Sequence, residues 1–310
     1  MGNMKQNISG MGSLLIQSFS ELLKNDPLRM AGATAFFTTF ALPPILVILI
    51  QVFRLVFDPQ TIRLELFKSL SDIVGPEAVR QVVDVLGALR GLTDNWAITA
   101  AGFLFLVFVA TTLFKVIKSS INQIWKIKPV PMKGVMKTIN SRGQSIFVIL
   151  VAGVLFILGI VAETIRAFIG DYIFEYSPSL SFYFNGVLRY IVSIVVVTLW
   201  FWMVFSYLPD GRPSWRIALA GAFLTSILFS LGKIVLQWLL SYSNITTVYG
   251  TSASIVLLLL FVFYSALILY YGAAFTKIFA LHKSIPIVPK KHAIHYTIIE
   301  SDVAESGSLS

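Results

Sequence analysis

A chain of 310 residues that is 56% apolar and 13% charged, with a mean hydropathy of +0.81, is an integral membrane protein rather than a soluble enzyme. It contains no cysteine, which excludes disulfides, thiolate metal sites and cysteine nucleophiles. A net charge of +9 would suit nucleic acid, but the basic residues gather in particular connections between apolar stretches, so the charge reads as topology and implies a lipid bilayer, not a nucleic acid, as partner.

Residues 1–25 are too polar for a cleaved signal peptide. Ile8, Met11, Leu15, Phe19 and Leu22 recur at spacings of three and four, which predicts an amphipathic helix lying flat in the membrane interface. Asp26-Pro27 then predicts a helix start, with Asp as N-cap and Pro at the first helical position, where its missing N–H costs nothing.

The first predicted span is Ala31–Phe57, residues 31–57, since about twenty apolar residues at ~1.5 Å each cross the ~30 Å hydrocarbon core. Pro43-Pro44 interrupts it. The pair predicts a kink and leaves the carbonyls near Thr39 and Phe40 without helical donors, a need that Thr34, Thr38 and Thr39 hydroxyls or neighbouring helices must meet. In 60–92, Ile62, Leu66, Leu70 and Ile73 form one stripe and Val79, Val82, Val83, Leu86 and Leu89 another, on either side of Gly75-Pro76. These read as a hairpin of two short amphipathic helices resting its apolar side on the membrane helices.

Five more spans are predicted, at 96–118, 145–169, 187–208, 216–241 and 250–280. The fold class is therefore an all-α integral membrane protein: six transmembrane helices in a domain at 26–282, plus interfacial amphipathic helices. Lys115 to Arg142 holds seven basic residues and no acid, whereas Asp58 to Asp94 holds four basic and six acidic residues, so the first connection is cytoplasmic by the positive-inside rule. Both termini then fall on the cytoplasmic side. Residues 283–310 lack length and periodicity for a domain and read as a disordered tail.

Span five carries the sharpest polar constellation: Ser226, Ser230, Lys233, Gln237 and Ser241 follow at spacings of four, three, four and four, which puts them on one helix face. A charge inside a span calls for a cavity or a partner unless it snorkels to the headgroups. Partners at comparable outer depth are Gln51 and Arg54 after span one, Arg189 at the start of span four, and Glu163 with Arg166, which are three apart and can pair with each other. Lys115 and Lys118 read as ordinary positive-inside anchors. His292 and His295 follow the last span with no carboxylate near them in sequence, so no metal site, cofactor or catalytic group is predicted. Neither a GxSxG elbow nor a phosphate-cradling glycine loop is present.

Four stretches carry a family resemblance: AFFTTFALPPILVIL in span one, INQIW at Ile121–Trp125, YLPDGRPSWRIALAGAF at Tyr207–Phe223 and LFSLGKIVLQWLLSYSNITTVYG at Leu228–Gly250. Together they make the chain similar to the YihY/BrkB virulence-factor family, also labelled UPF0761, of bacterial inner-membrane proteins. The resemblance maps Asn122, Trp125, Pro209, Gly221, Lys233, Tyr249 and Gly250 onto motif positions. It departs where the family has Gly-Ala-Glu and this chain has Gly272-Ala273-Ala274. It implies an inner-membrane location, and some members carry a ribonuclease label that the residues do not support, since the basic loop has neither acids nor histidines for hydrolysis. The residues themselves point to an anionic amphiphile, a lipid or envelope precursor, bound by Lys233 with Arg54 or Arg189 and by Gln51, Ser226, Ser230 and Gln237. A non-transporting membrane scaffold that maintains the envelope and, more remotely, an RNA-processing enzyme remain as alternatives.

Overall fold

The computed structural model describes residues 2–53, 96–130, 178–241 and 253–297, together with single positions at 64, 67, 79, 83, 154 and 159. Six long helices occupy these stretches: α1 (Gly2–Leu23), α2 (Pro27–Phe53), α3 (Trp96–Ile124), α4 (Pro178–Tyr207), α5 (Trp215–Ser241) and α6 (Ala253–His282). Four short strands lie between and after them: β1 (Ile127–Pro129), β2 (Gly211–Arg212), β3 (Val288–Pro289) and β4 (Ala293–His295). Within the described residues, three helices are long and apolar enough to cross a membrane, over Tyr190–Tyr207, Trp215–Leu236 and Ile255–His282. The expected span at 145–169 and the hairpin at 60–92 lie outside the described residues, apart from isolated positions.

The bundle is built around α6, which packs against α1, α2, α3 and α5, while α2 pairs with α3 and α4 with α5. Two features let α6 approach its neighbours closely. On the α5 side, the stretches Gly221-Ala-Phe-Leu-Thr225 and Gly272-Ala-Ala-Phe-Thr276 face each other reciprocally. A Cβ at Gly221 would overlap the Thr276 hydroxyl, and one at Gly272 would overlap that of Thr225. Each threonine hydroxyl donates back to the glycine carbonyl of its own helix, at 2.6 Å for Thr225 and 2.7 Å for Thr276, so both buried polar groups are satisfied where the helices touch. On the α2 side, the fully buried Tyr270 bonds Thr34 of α2 and reaches Ser120 of α3.

Several expectations are corrected. Helix α1 does not simply lie flat: Tyr271 donates to the Leu15 carbonyl at 3.0 Å and Lys277 pairs with Glu21 at 2.6 Å, so α1 runs alongside α6 in the same direction over this stretch. Its buried face is Leu14, Ser18 and Leu22, whereas Met11 and Phe19 of the predicted stripe are exposed with Ile16 and Leu23. The stripe was drawn for lipid alone, and a helix touching both protein and lipid has two apolar faces. Helix α2 begins at Pro27 as predicted, but Asp26 has a left-handed φ of 53°, and its carboxylate lies 3.5 Å from Arg29 rather than capping the helix. The α2 helix continues through Pro43-Pro44 to Phe53. Its threonines do not serve the freed carbonyls: Thr34, Thr38 and Thr39 donate to the carbonyls four residues back, at Met30, Thr34 and Ala35.

The segment from 283 is also not disordered over its described part. Beyond α6, Ser284 takes a left-handed φ of 56° and Ile285 donates to the Ala280 carbonyl at 2.9 Å, which closes the helix end. The chain then doubles back. Strand β3 pairs antiparallel with β2, Arg212 opposite Val288, and β4 pairs with β1, Ile127 opposite His295. Low hydropathy failed as a guide because the anchors are few: Ile287 and Ala293 are buried, and the rest of the attachment is backbone pairing.

Candidate functional site

The ends of α1, α3, α4 and α6 and the starts of α2 and α5 meet at one end of the bundle, which is the end carrying the acid-poor basic segments. There Asp210, in the turn between α4 and β2, is 0% exposed. A buried carboxylate needs opposite charge and several donors, and α3 and the chain's last described segment supply them. Lys118 of α3 lies 2.7 Å from Oδ1, His292 Nε2 lies 2.9 Å from the same oxygen, and Asn122 Nδ2 donates to Oδ2 at 2.8 Å. Asn122 also accepts the Asp210 backbone N–H at 2.8 Å, and the Asp210 carbonyl takes the Lys290 N–H at 2.7 Å. Burial by itself would raise the Asp210 carboxyl, but the Lys118 ammonium, with His292 and Asn122, outweighs it and holds the group below its ordinary value.

Lys290 stands beside this node with its ammonium 2.9 Å from the Tyr207 carbonyl at the end of α4. Burial pushes its ionisation down, the positive charges of Lys118 and Arg212 add to this, and Asp210 opposes them, leaving the group at about 8. A second tie lies nearby: Lys277 donates to Glu21 at 2.6 Å and to the Ile124 carbonyl at 2.9 Å, and Lys126 reaches Asn25 at 3.1 Å. Trp125 fills the space between, 2% exposed, with its indole N–H on the Ala273 carbonyl at 2.9 Å. Gly211 lets the turn lie flat on it, since a Cβ there would come within 2.7 Å of the indole.

The residues predicted for amphiphile binding are distributed differently. Ser226 is buried and shares a 2.7 Å hydrogen bond with Thr198 of α4. Ser230 and Lys233 are partly exposed on α5, and among the described residues Lys233 makes no hydrogen bond or ion pair. Gln51, Arg189 and Gln237 belong to α2, α4 and α5, but their side chains, like those of Pro43 and Pro44, lie outside the description. Arg54, Glu163, Arg166, Tyr249 and Gly250 lie outside the described residues altogether. Of the motif positions, Asn122, Trp125, Pro209 and Gly221 are buried, the first three at the Asp210 node and Gly221 against α6. Ala274, where the family resemblance would place a carboxylate, is fully buried.

Two readings change here. Lys118 is an ion-pair partner of a buried acid and not a plain membrane anchor. His292 does have a carboxylate beside it, brought by the α4–β2 turn, but the shared oxygen already belongs to Lys118. No group of three potential metal ligands occurs among the described residues. Asp210 itself was not singled out, although one signal was available: it is the only acid between Glu175 and Glu300, set in a basic segment where a lone carboxylate has to be claimed.

Comparison with known proteins places this arrangement. The family model for virulence factor BrkB matches residues 18–293, nearly the whole described bundle. The chain belongs to the BrkB virulence-factor family. Among BrkB relatives, the chain is 25% identical over 263 residues to a UPF0761 membrane protein of Mannheimia succiniciproducens, covering 82% of this chain and 85% of that one. It is 25% identical to one from Haemophilus influenzae, over 86% of this chain and 94% of the relative. With a Bordetella petrii relative it shares 26% identity over 79% of this chain but 52% of the longer relative. No solved structure matches. This BrkB-family chain is thus an integral membrane protein, and its matched region runs through β3 to the start of β4, the segment that closes on Asp210.

Proposed function

We propose that this BrkB-family protein is a non-enzymatic, six-span inner-membrane protein with cytoplasmic termini that binds or moves an anionic amphiphile, such as a lipid or an envelope precursor. One observation carries the reading: Lys233 lies within the apolar stretch Trp215–Leu236 of α5 and has no polar partner among the described residues. An ionisable residue at that place is a functional residue by default. Its ammonium suits a phosphate or carboxylate, with Ser230 and Gln237 for neutral hydrogen bonds and Arg189 or Arg54 for a second charge. The six-span count draws support from the apolar run at 145–169 in the sequence, which is long enough to cross the hydrocarbon core. The scaffold reading draws on the tight Gly–Thr interlock of α5 and α6.

The test is reconstitution of the full chain in vesicles of phosphatidylethanolamine and phosphatidylglycerol, followed by binding and transbilayer movement of a labelled anionic lipid. Lys233→Met is expected to reduce the signal about tenfold, the worth of one charge-assisted contact. Equal signals from wild type and variant would favour the scaffold.

A further inference from the structure

Among the described residues, basic side chains outnumber acidic ones around Asp210. Around Asp210 stand three basic side chains: Lys118 on its Oδ1 at 2.7 Å, Lys290 held to the Tyr207 carbonyl at 2.9 Å, and Arg212, whose charge acts on Lys290 together with that of Lys118. Among the described residues one carboxylate faces these three, and His292 stands beside it, 46% exposed at its side chain. Backbone pairing of β3 with β2 and the Lys290 N–H bond to Asp210 hold the last segment in place, and they fix Lys290 against the cluster.

The location says what kind of anion can reach it. Asp210 lies between two apolar windows, Tyr190–Tyr207 and Trp215–Leu236, three residues past one and five before the other. Tyr207 is 46% and Trp215 61% exposed, and Arg216 lies over the Trp215 ring at 5.2 Å. Aromatic residues flanking a span sit at headgroup level, and a basic pocket between helices at that level is the arrangement that takes phosphate headgroups. We propose that Lys118, Lys290 and Arg212 form a binding site for a phosphate group at the membrane boundary, separate from Lys233. The site extends the amphiphile reading without depending on it. The phosphate belongs to an anionic lipid headgroup or to a free phosphate anion, and the experiment distinguishes the two.

The measurement is the thermal stabilisation and binding affinity of the full-length protein in a neutral detergent, titrated separately with short-chain phosphatidylglycerol, inorganic phosphate and short-chain phosphatidylcholine. Stabilisation by phosphatidylglycerol or by phosphate, and not by phosphatidylcholine, is expected, and whichever acts identifies the source. Lys290→Gln and Arg212→Gln leave the Lys118–Asp210 pair intact and are each expected to weaken binding roughly five- to tenfold, the effect of one lost charged contact. Binding should also weaken as pH rises through about 8, where Lys290, facing Lys118, Asp210, Arg212 and His292, loses its proton. Lys283→Gln, an exposed cation beyond α6, is expected to bind as wild type does. If neither anion binds, if phosphatidylcholine stabilises equally, or if Lys290→Gln and Arg212→Gln both match wild type, the site does not exist. Loss of binding in Lys233→Met alone would point to the α5 column instead.

Discussion

Lys118 and Lys233 are both lysines on long apolar helices, and the bundle treats them in opposite ways. Lys118 meets a buried carboxylate from a turn between two other helices, and that carboxylate is held in turn by Asn122 from its own helix and His292 from the chain's last segment. Lys233 stands among exposed Leu231, Ile234 and Val235, with no polar partner in the described residues. The first charge belongs to the structure, and the second has no counterpart among the described residues. A lysine in a span is therefore not one kind of evidence: what matters is whether the fold has already neutralised it.

Removing the carboxylate tests the first half of that contrast and has the largest expected effect. Asp210→Ala takes the buried carboxylate from Lys118 and removes the acceptor of the Asn122 Nδ2–H, and breaking such a pair costs on the order of 3–5 kcal/mol. Thermal unfolding in detergent should show a large drop in melting temperature. A melting temperature within a degree or two of wild type would mean that the node is not structural. The pH dependence has a definite sign. The folded Asp210 carboxyl lies below its ordinary value, so its contribution is fully present above the unfolded value of about 3.9 and is lost as pH falls through the folded one. The loss of stability at the acid end should accordingly be smaller in Asp210→Asn than in wild type.

The interlock of α5 and α6 offers an intermediate effect. Gly272→Ala places a methyl group on the Thr225 hydroxyl, and overpacking of that kind costs roughly 1–3 kcal/mol. Thr225→Ala removes the obstruction, so the double variant should be more stable than Gly272→Ala alone. Additive losses in the two variants would show that the helices do not meet through these residues.

How much of this was legible follows the same division. Helix positions came from runs of apolar residues, and Pro27, Trp96 and the ends of α4 to α6 fall close to the predicted limits, because a span's length is set by the bilayer. The polar column on α5 was visible for a related reason: a periodicity within one helix is a local property. The Asp210 node was not visible, since it joins residues 118, 122, 210 and 292, whose separations in sequence follow no period. The ordered segment at 283–297 was missed on the same ground, because strands of two or three residues exist only through their partners. Helix α1 was half legible: an amphipathic stripe reveals a face, but not whether lipid or α6 covers it.

Lys233→Met is the smallest perturbation and the one that most sharpens the contrast with Lys118. If the α5 lysine were a hidden structural charge, its removal would resemble loss of the Lys118–Asp210 pair and cost several kcal/mol. Its surroundings argue otherwise. It is partly exposed, its flanking residues on α5 are exposed and apolar, and methionine matches the lysine stem in length while adding no polar atom. The expected change in stability is within about 0.5 kcal/mol, as for surface positions away from any network, with the melting curve superimposable on wild type. That outcome also gives meaning to the reconstitution experiment, because a loss of anion binding in a protein of unchanged stability belongs to the site and not to unfolding. A drop of several degrees would instead place Lys233 in a buried ionic contact like that of Lys118, and the distinction between the two lysines would disappear.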